Sequence, residues 1–315
     1  MFNSVLVTGC GGDIGQGICR ILKLSNAAKK VFGCDIHEDH IGPLFFDFCE
    51  HIVRAADKAY FPALRRILSK HNIDLIIPVS EAEISTFIRH GYSKSFEKTP
   101  VLLANANSIR IGLDKMETVN FLKTHGLAYP WTEVVEENEP QEIPCVLKMR
   151  SGQGSKNFVK VMDEQLIPYY KKTRPLDLWQ EFLLPENEEY TCGVYRTNTG
   201  EIRTIIIRRK LLGGFTGSGI TVHSDSISQY LDKIAVALDL HGSINIQLRC
   251  TDHGPVAFEI NPRFSSTVVF RHLLGFQDLF WSLSELRNIP LKPYQEVKKD
   301  IRIYRGVHEY IVEST

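Results

Sequence analysis

Gln247 and the run Phe258-Glu259-Ile260-Asn261-Pro262-Arg263 hold the densest chemistry in the chain. Glu259 and Asn261 stand two apart on a segment that reads as a strand, so their side chains share one face. The turn signal Asp252-His253-Gly254 folds this strand against the one bearing Gln247. These three side chains offer only hard oxygen donors. Mg2+ takes such a set, with phosphate oxygens and waters completing an octahedron. Pro262 ends the strand. Arg263 follows, where a guanidinium could hold a transferring phosphoryl group or a carboxylate.

Three other stretches could meet a nucleotide. The strand Pro144 to Lys148 presents a lysine and runs into Arg150-Ser151-Gly152-Gln153-Gly154-Ser155-Lys156. Backbone N–H groups and a hydroxyl there suit phosphate oxygens, and the lysine suits their charge. A Gly-rich hairpin with a surface lysine is the plain alternative. The apolar run Leu178 to Leu184 is interrupted by Gln180-Glu181. Its extended backbone at Gln180, Glu181, Phe182 and Leu183 could meet an adenine edge, and Glu189 could take ribose hydroxyls. A half-buried strand and a solvated acid would look the same. Finally, Thr8-Gly9-Cys10-Gly11-Gly12-Asp13-Ile14-Gly15 lies between a strand and a helix, as a pyrophosphate loop does. Asp35 would suit a ribose hydroxyl in an NAD-dependent oxidoreductase. That chemistry also needs a Tyr-x-x-x-Lys pair. The single such spacing, Tyr294 to Lys298, lies far along the chain beyond Pro290 and Pro293. A tight turn needs glycine with or without a ligand. His223 and His272 read as structural.

The elements that position these residues change character along the chain. Strands at 5–7, 31–35, 73–79 and 101–104 alternate with helices at 14–24, 63–71 and 81–90, the mark of βαβ units and a parallel sheet. A helix at 114–125 ends at Gly126, a left-handed cap. Hairpins then dominate: 145–149 with 158–162, 190–195 with 202–210 about Asn198-Thr199-Gly200, and 243–250 with 256–260. A helix at 226–240 separates the last two pairs. Gly213 to Gly219 reads as a loop or surface turn, and 268–286 as amphipathic packing surface.

Composition narrows the partners. Lys+Arg and Asp+Glu balance at 37 each, for a formal net charge of zero. Nucleic acid as the main partner usually demands a basic footprint. No apolar stretch reaches the ~18 residues of a membrane span. No signal peptide is evident after Met1. Seven scattered cysteines read as reduced thiols of a cytoplasmic protein. A length of 315 residues suggests two domains.

Taken together, the E-I-N-P-R segment, its upstream Gln247, the V-L-K strand before a G-x-G-S loop, the Gln-Glu hinge and the Asp114-Lys115 helix start resemble the ATP-grasp superfamily. The order resembles its branch related to the large chain of carbamoyl phosphate synthetase. The resemblance covers nearly all of residues 1–275. It implies an α/β protein with an N-terminal Rossmann-like pre-ATP-grasp domain at 1–112. An α+β ATP-grasp domain follows at 113–315, with a smaller lid-bearing part at 113–185 and a metal-binding part at 186–315. It implies that Lys115 and Lys148 contact ATP phosphates and that 152–156, with Gly152, Gly154 and Ser155, closes over them. Gln180 to Leu183 would line adenine and Glu189 would bind ribose. Gln247, Glu259 and Asn261 would hold Mg2+, with Mn2+ as an alternative. Arg263 would stabilise the phosphorylated intermediate, with Lys210, next to Arg209, as a further contact. The first domain, with Gly9 to Gly15 and Glu81 and Glu83, would help bind the other substrate. Glu81 and Glu83 would equally suit a helix N-terminus. The expected activity is an ATP- and Mg2+-dependent ligase joining a small carboxylate to an amine, with a homodimer as a common assembly. The alternatives are the NAD-dependent oxidoreductase and a non-catalytic nucleotide-binding module.

Overall fold

A computed structural model describes residues 1–152, 158–306 and 310. The chain opens with β1 (Phe2–Thr8), α1 (Asp13–Leu24), β2 (Ala28–Asp35), β3 (Phe48–His51), α2 (Tyr60–His71), β4 (Leu75–Ile77) and α3 (Glu81–Arg89). Its strands form a parallel sheet in the order β3-β2-β1-β4. Buried on both faces, they read as apolar runs: Val5, Leu6 and Val7, like Leu75, Ile76 and Ile77, are fully covered. Ser80 starts α3 by accepting the Glu83 N–H, while its hydroxyl donates to the Glu83 carboxylate at 2.6 Å.

The glycines after β1 have packing reasons. A Cβ on Gly15 would lie 2.5 Å from the Gly9 carbonyl oxygen, so any larger residue would push the helix off the loop. The Gly11 N–H is taken by Asp35 Oδ2 at 2.9 Å. The expected strand at 101–104 is reduced to one parallel bridge, Ile76 with Val101. A short hairpin, β5 (Ser95–Phe96) and β6 (Thr99–Pro100), precedes it, and the chain then turns at Asn105 into α4 (Ala106–Gly112).

The rest is antiparallel. α5 (Lys115–Thr124) starts at Asp114, whose carboxylate accepts the N–H groups of Met116 and Glu117, and the chain leaves it at Gly126 with a left-handed φ of 64°. A small sheet follows from β7 (Thr132–Val134), β8 (Cys145–Lys148), β9 (Val159–Val161) and β10 (Leu178–Glu181), in the order β7-β10-β8-β9 with α6 (Ile167–Thr173) between the last two in sequence. A larger sheet comprises β11 (Glu189–Arg196), β12 (Ile202–Leu212), β13 (Phe215–Thr221), β14 (Gly242–Thr251), β15 (Gly254–Asn261) and β16 (Arg302–Tyr304), in the order β15-β14-β11-β12-β13-β16. Helix α7 (Asp225–Ala237) packs on one face of it.

The glycine-rich segment at 213–219 is mostly strand. β12 runs on to Leu212, Gly213 and Gly214 turn at positive φ, and β13 pairs back along β12. The amphipathic stretch from Val268 becomes two helices, α8 (Val268–Leu274) and α9 (Asp278–Leu286), broken at Gly275. Phe264, Val268, Leu279 and Leu283 join Val5, Ile18 and Leu75 in one apolar cluster. Ile84, Ala104 and Ile109 join Leu231 and Ile246 in another. The parallel and antiparallel parts therefore share two cores. No helix among the described residues is long and apolar enough to cross a membrane.

Candidate active site

The register of the large sheet assembles the site. Gln247 pairs with Glu259 across β14 and β15, Thr191 with Gln247 across β11 and β14, and Asn245 with Asn261 one pleat further on. Side chains on alternate residues share a face, so Glu189, Gln247, Arg249, Glu259 and Asn261 stand on one face of the sheet. The small sheet lies over one end of it, and the space between is a cleft. Lys115, Lys148, Gly152, Gln180, Glu181, Phe182, Leu183, Glu189, Gln247 and Glu259, ten of the residues singled out from sequence, line this cleft.

Its two lysines, Lys115 and Lys148, gather at one end. Lys115 Nζ donates to the Gly152 carbonyl at 2.9 Å and lies 3.9 Å from Glu259 Oε1, with side-chain exposures of 12% and 20%. Lys148 reaches across from the small sheet and donates to the Phe258 carbonyl at 3.0 Å. Burial pulls its ammonium down to about 7; neighbouring Lys115 acts in the same direction and Glu259 opposes. Arg150 holds Asp114 at 2.8 Å, which fixes the start of α5 and so the position of Lys115.

At the other end, Phe182 and Leu183 leave the small sheet just beyond its last paired residue, Glu181. Lys160 Nζ sits 3.8 Å from the centre of the Phe182 ring. The Leu183 carbonyl accepts from Arg249. Glu181 accepts the Trp131 N–H at 3.2 Å, and burial raises its carboxyl above the usual range. Gln180 donates to Thr132 Oγ1 at 2.9 Å. Glu189 is held by both Arg209, at 2.8 Å, and Arg249, at 2.5 Å. Arg209 also donates to Gln247 Oε1 at 2.8 Å.

The remaining sequence candidates lie elsewhere. Asn261 and Arg263 do not line the cleft; they continue its row of side chains toward the parallel domain. Arg263 donates to Asn261 Oδ1 at 3.2 Å and to Glu81 Oε1 at 3.1 Å, while the buried Asn261 Nδ2 and Arg263 Nε have no partner among the described residues. Lys210 is a correction: alternation along β12 turns it out to solvent and leaves its neighbour Arg209 in the cleft. Gly154 and Ser155 lie outside the described residues. Arg249 was missed, although its place two residues after Gln247 puts it on the same face. Leu211 and Phe158, which add apolar wall, carried no signal.

The features of the oxidoreductase alternative are occupied structurally. Asp35 holds the Gly11 and His37 N–H groups. Tyr294 donates to the Thr204 carbonyl at 2.8 Å and packs against Phe276 and Trp281. His223 is bonded to the Val297 carbonyl at 2.7 Å.

The donor set can be tested against Mg2+. Glu259 presents a carboxylate beside Lys115, the Gln247 amide oxygen, which also accepts from Arg209, stands opposite it across the strand pair, and Asn261 adds a third oxygen one pleat away. No group of three His, Cys, Asp or Glu converges among the described residues, as a softer metal would need. The set fits a hard cation that takes most of its ligands from phosphate and water.

Residues 178–307 match the family described as ATP-grasp in the biosynthetic pathway with Ter operon. No curated protein sequence matches the chain. Solved structures align along nearly its whole length. N5-carboxyaminoimidazole synthetase from Staphylococcus aureus complexed with ADP aligns at TM-score 0.74 and 16% identity, over 94% of this chain and 80% of that one. L-amino acid ligase from Bacillus licheniformis aligns at TM-score 0.70 and 17% identity, over 89% and 74%. Biotin carboxylase from Campylobacter jejuni aligns at TM-score 0.69 and 13% identity, over 96% and 74%. The chain has the ATP-grasp fold, and its residues 178–307 are similar to an ATP-grasp family.

Proposed function

We propose that the protein is an ADP-forming ligase that uses ATP and Mg2+ to join a small carboxylate to an amine through an acyl phosphate. One observation carries the reading: Lys115, Lys148 and Glu259 meet at one end of a cleft whose other end is Phe182, Leu183 and Glu189. A nucleotide laid along it would place its base against the Phe182–Leu183 rim and its ribose near Glu189. Its phosphates would reach the lysines. A solved structure with the same fold is an ADP complex, which supports a nucleotide as the ligand.

Lys148 and Lys115 would neutralise and orient the phosphates, with Gly152 beside them. Glu259 and Gln247, helped by Asn261, would hold Mg2+, which would supply positive charge to the phosphates. A substrate carboxylate oxygen attacks the γ-phosphorus and ADP departs. The amine then attacks the acyl carbon and inorganic phosphate leaves. Arg263, anchored on Glu81 and on the motif's own Asn261, would hold the carboxylate or its acyl phosphate at the border with the parallel domain. The protein's part is positioning and charge stabilisation, as phosphoryl transfer requires.

A panel of amino acids, amino sugars and small acids, screened for substrate-dependent ADP release, tests the reading. With the pair that turns over, Glu259→Gln should lose ADP release while melting within a few degrees of the parent. Release by the variant at the parental rate would remove Glu259 from the metal-binding role.

A further inference from the structure

Cys10 and Cys49, in the parallel domain, take no part in the reaction above. Cys10 is fully buried in the turn between β1 and α1, and Cys49 is half-buried on β3. Their sulfurs lie 3.9 Å apart. The sequence builds this contact through a glycine. Gly33 on β2 pairs in register with Cys49 on β3, so its side chain would stand beside that of Cys49. Gly33 has none, and Cys10 fills the space: a Cβ on Gly33 would come within 2.6 Å of Cys10 Cβ and 2.8 Å of its sulfur.

A histidine completes the arrangement. His40 Nδ1 accepts the Gly42 N–H at 3.0 Å, so in the neutral ring the proton sits on Nε2. That nitrogen is 3.9 Å from the Cys10 sulfur. The result is a donor chain from His40 to Cys10 to Cys49. The hydrogen bond from Cys10 pulls the Cys49 thiol below its ordinary value, while that bond and burial push Cys10 up. The less buried of the two cysteines is therefore the more acidic, as a peroxide-reactive thiol should be.

We propose that Cys10 and Cys49 are a peroxide-oxidisable thiol pair that closes to an intramolecular disulfide, with Cys49 as the attacking sulfur and Cys10 as the resolving one. The Cys49 thiolate attacks one oxygen of hydrogen peroxide and the O–O bond breaks. Hydroxide leaves and is protonated to water, giving a sulfenic acid. The Cys10 sulfur then attacks the Cys49 sulfur. The S–O bond breaks, and the hydroxyl departs as water with the Cys10 proton. The two thiols lose two electrons and the peroxide gains them. The sulfurs must approach by about 2 Å to reach disulfide length. The bond would tie the Gly9–Gly12 turn to β3.

The test treats the native protein at low micromolar concentration with hydrogen peroxide, then unfolds and alkylates it without reductant. Five of the seven cysteines should take the label, with Cys10 and Cys49 recovered in one linked species. Trypsin leaves Cys19 with Cys10 and Cys34 with Cys49, so fragment spectra must place the bond. The half-exposed Cys49→Ser variant should keep all its thiols under the same treatment. Labelling of all seven in the oxidised parent, a bond between other cysteines, or equal thiol loss in Cys49→Ser would overturn the proposal.

Discussion

At the residue scale, the cleft depends on which of two adjacent cations faces inward. Arg209 bridges Glu189 and Gln247, whereas Lys210 points to solvent. Arg209→Ala should destabilise the fold by about 2 kcal/mol in urea unfolding, the range for losing charged hydrogen bonds from a partly buried group. Lys210→Ala should leave both stability and nucleotide binding unchanged. The pair also shows where sequence reading stopped. Residue types identified a basic pair on a strand near the motif, but only the register of β11 with β12 decides which one turns in. Arg249 was within reach, since spacing by two from Gln247 fixes its face. The role of Glu189 as the anchor of two guanidiniums needed the fold.

Lys148 gives a pH prediction. Its value near 7 in the free protein means that it is largely neutral at pH 8. Phosphate oxygens beside it favour the ammonium, so binding raises its pKa and takes up a proton. ATP affinity should therefore fall as pH rises from 7 to 9. Calorimetry at pH 8 in two buffers of different ionisation enthalpy should show proton uptake. Proton release on binding, or none, would contradict the assignment.

At the element scale, the glycines of the first turn serve packing. Gly15→Ala places a methyl group 2.5 Å from the Gly9 carbonyl oxygen, a backbone atom that cannot swing aside. The cost should be about 1–3 kcal/mol, the usual range for overpacking, read from urea unfolding. Strands and helices with clear periodicity were legible, including the hairpins about Gly200 and Gly254. The β12–β13 hairpin was not, because Gly217 and Gly219 look like loop residues. Both lie where a side chain would strike the neighbouring strand: a Cβ on Gly217 would meet Leu212 at 2.6 Å, and one on Gly219 the Arg208 carbonyl at 2.8 Å.

At the scale of the whole molecule, the change from parallel to antiparallel structure is not a break in the core. The parallel domain borrows Phe264, Val268, Leu279 and Leu283 from beyond the Glu259–Arg263 segment. A fragment of residues 1–112 loses that cover and should show no cooperative unfolding transition by circular dichroism, while the full chain unfolds cooperatively. Sequence could not show this sharing, since the partners are more than 150 residues apart and periodicity reports only local faces. It also explains why Arg263 can reach Glu81: α8 and α9 fold back onto the first sheet immediately after the motif.

On this reading, the cleft between the two antiparallel sheets binds ATP with Mg2+. Titration calorimetry of Mg·ATP into the parent and Lys148→Met, with NADH as a second ligand, tests it most directly. The account predicts saturable Mg·ATP binding by the parent, at least about tenfold weaker binding by Lys148→Met from loss of a charged phosphate contact, and no heat from NADH. Equal Mg·ATP affinity in the two proteins, or NADH binding in place of ATP, would contradict it.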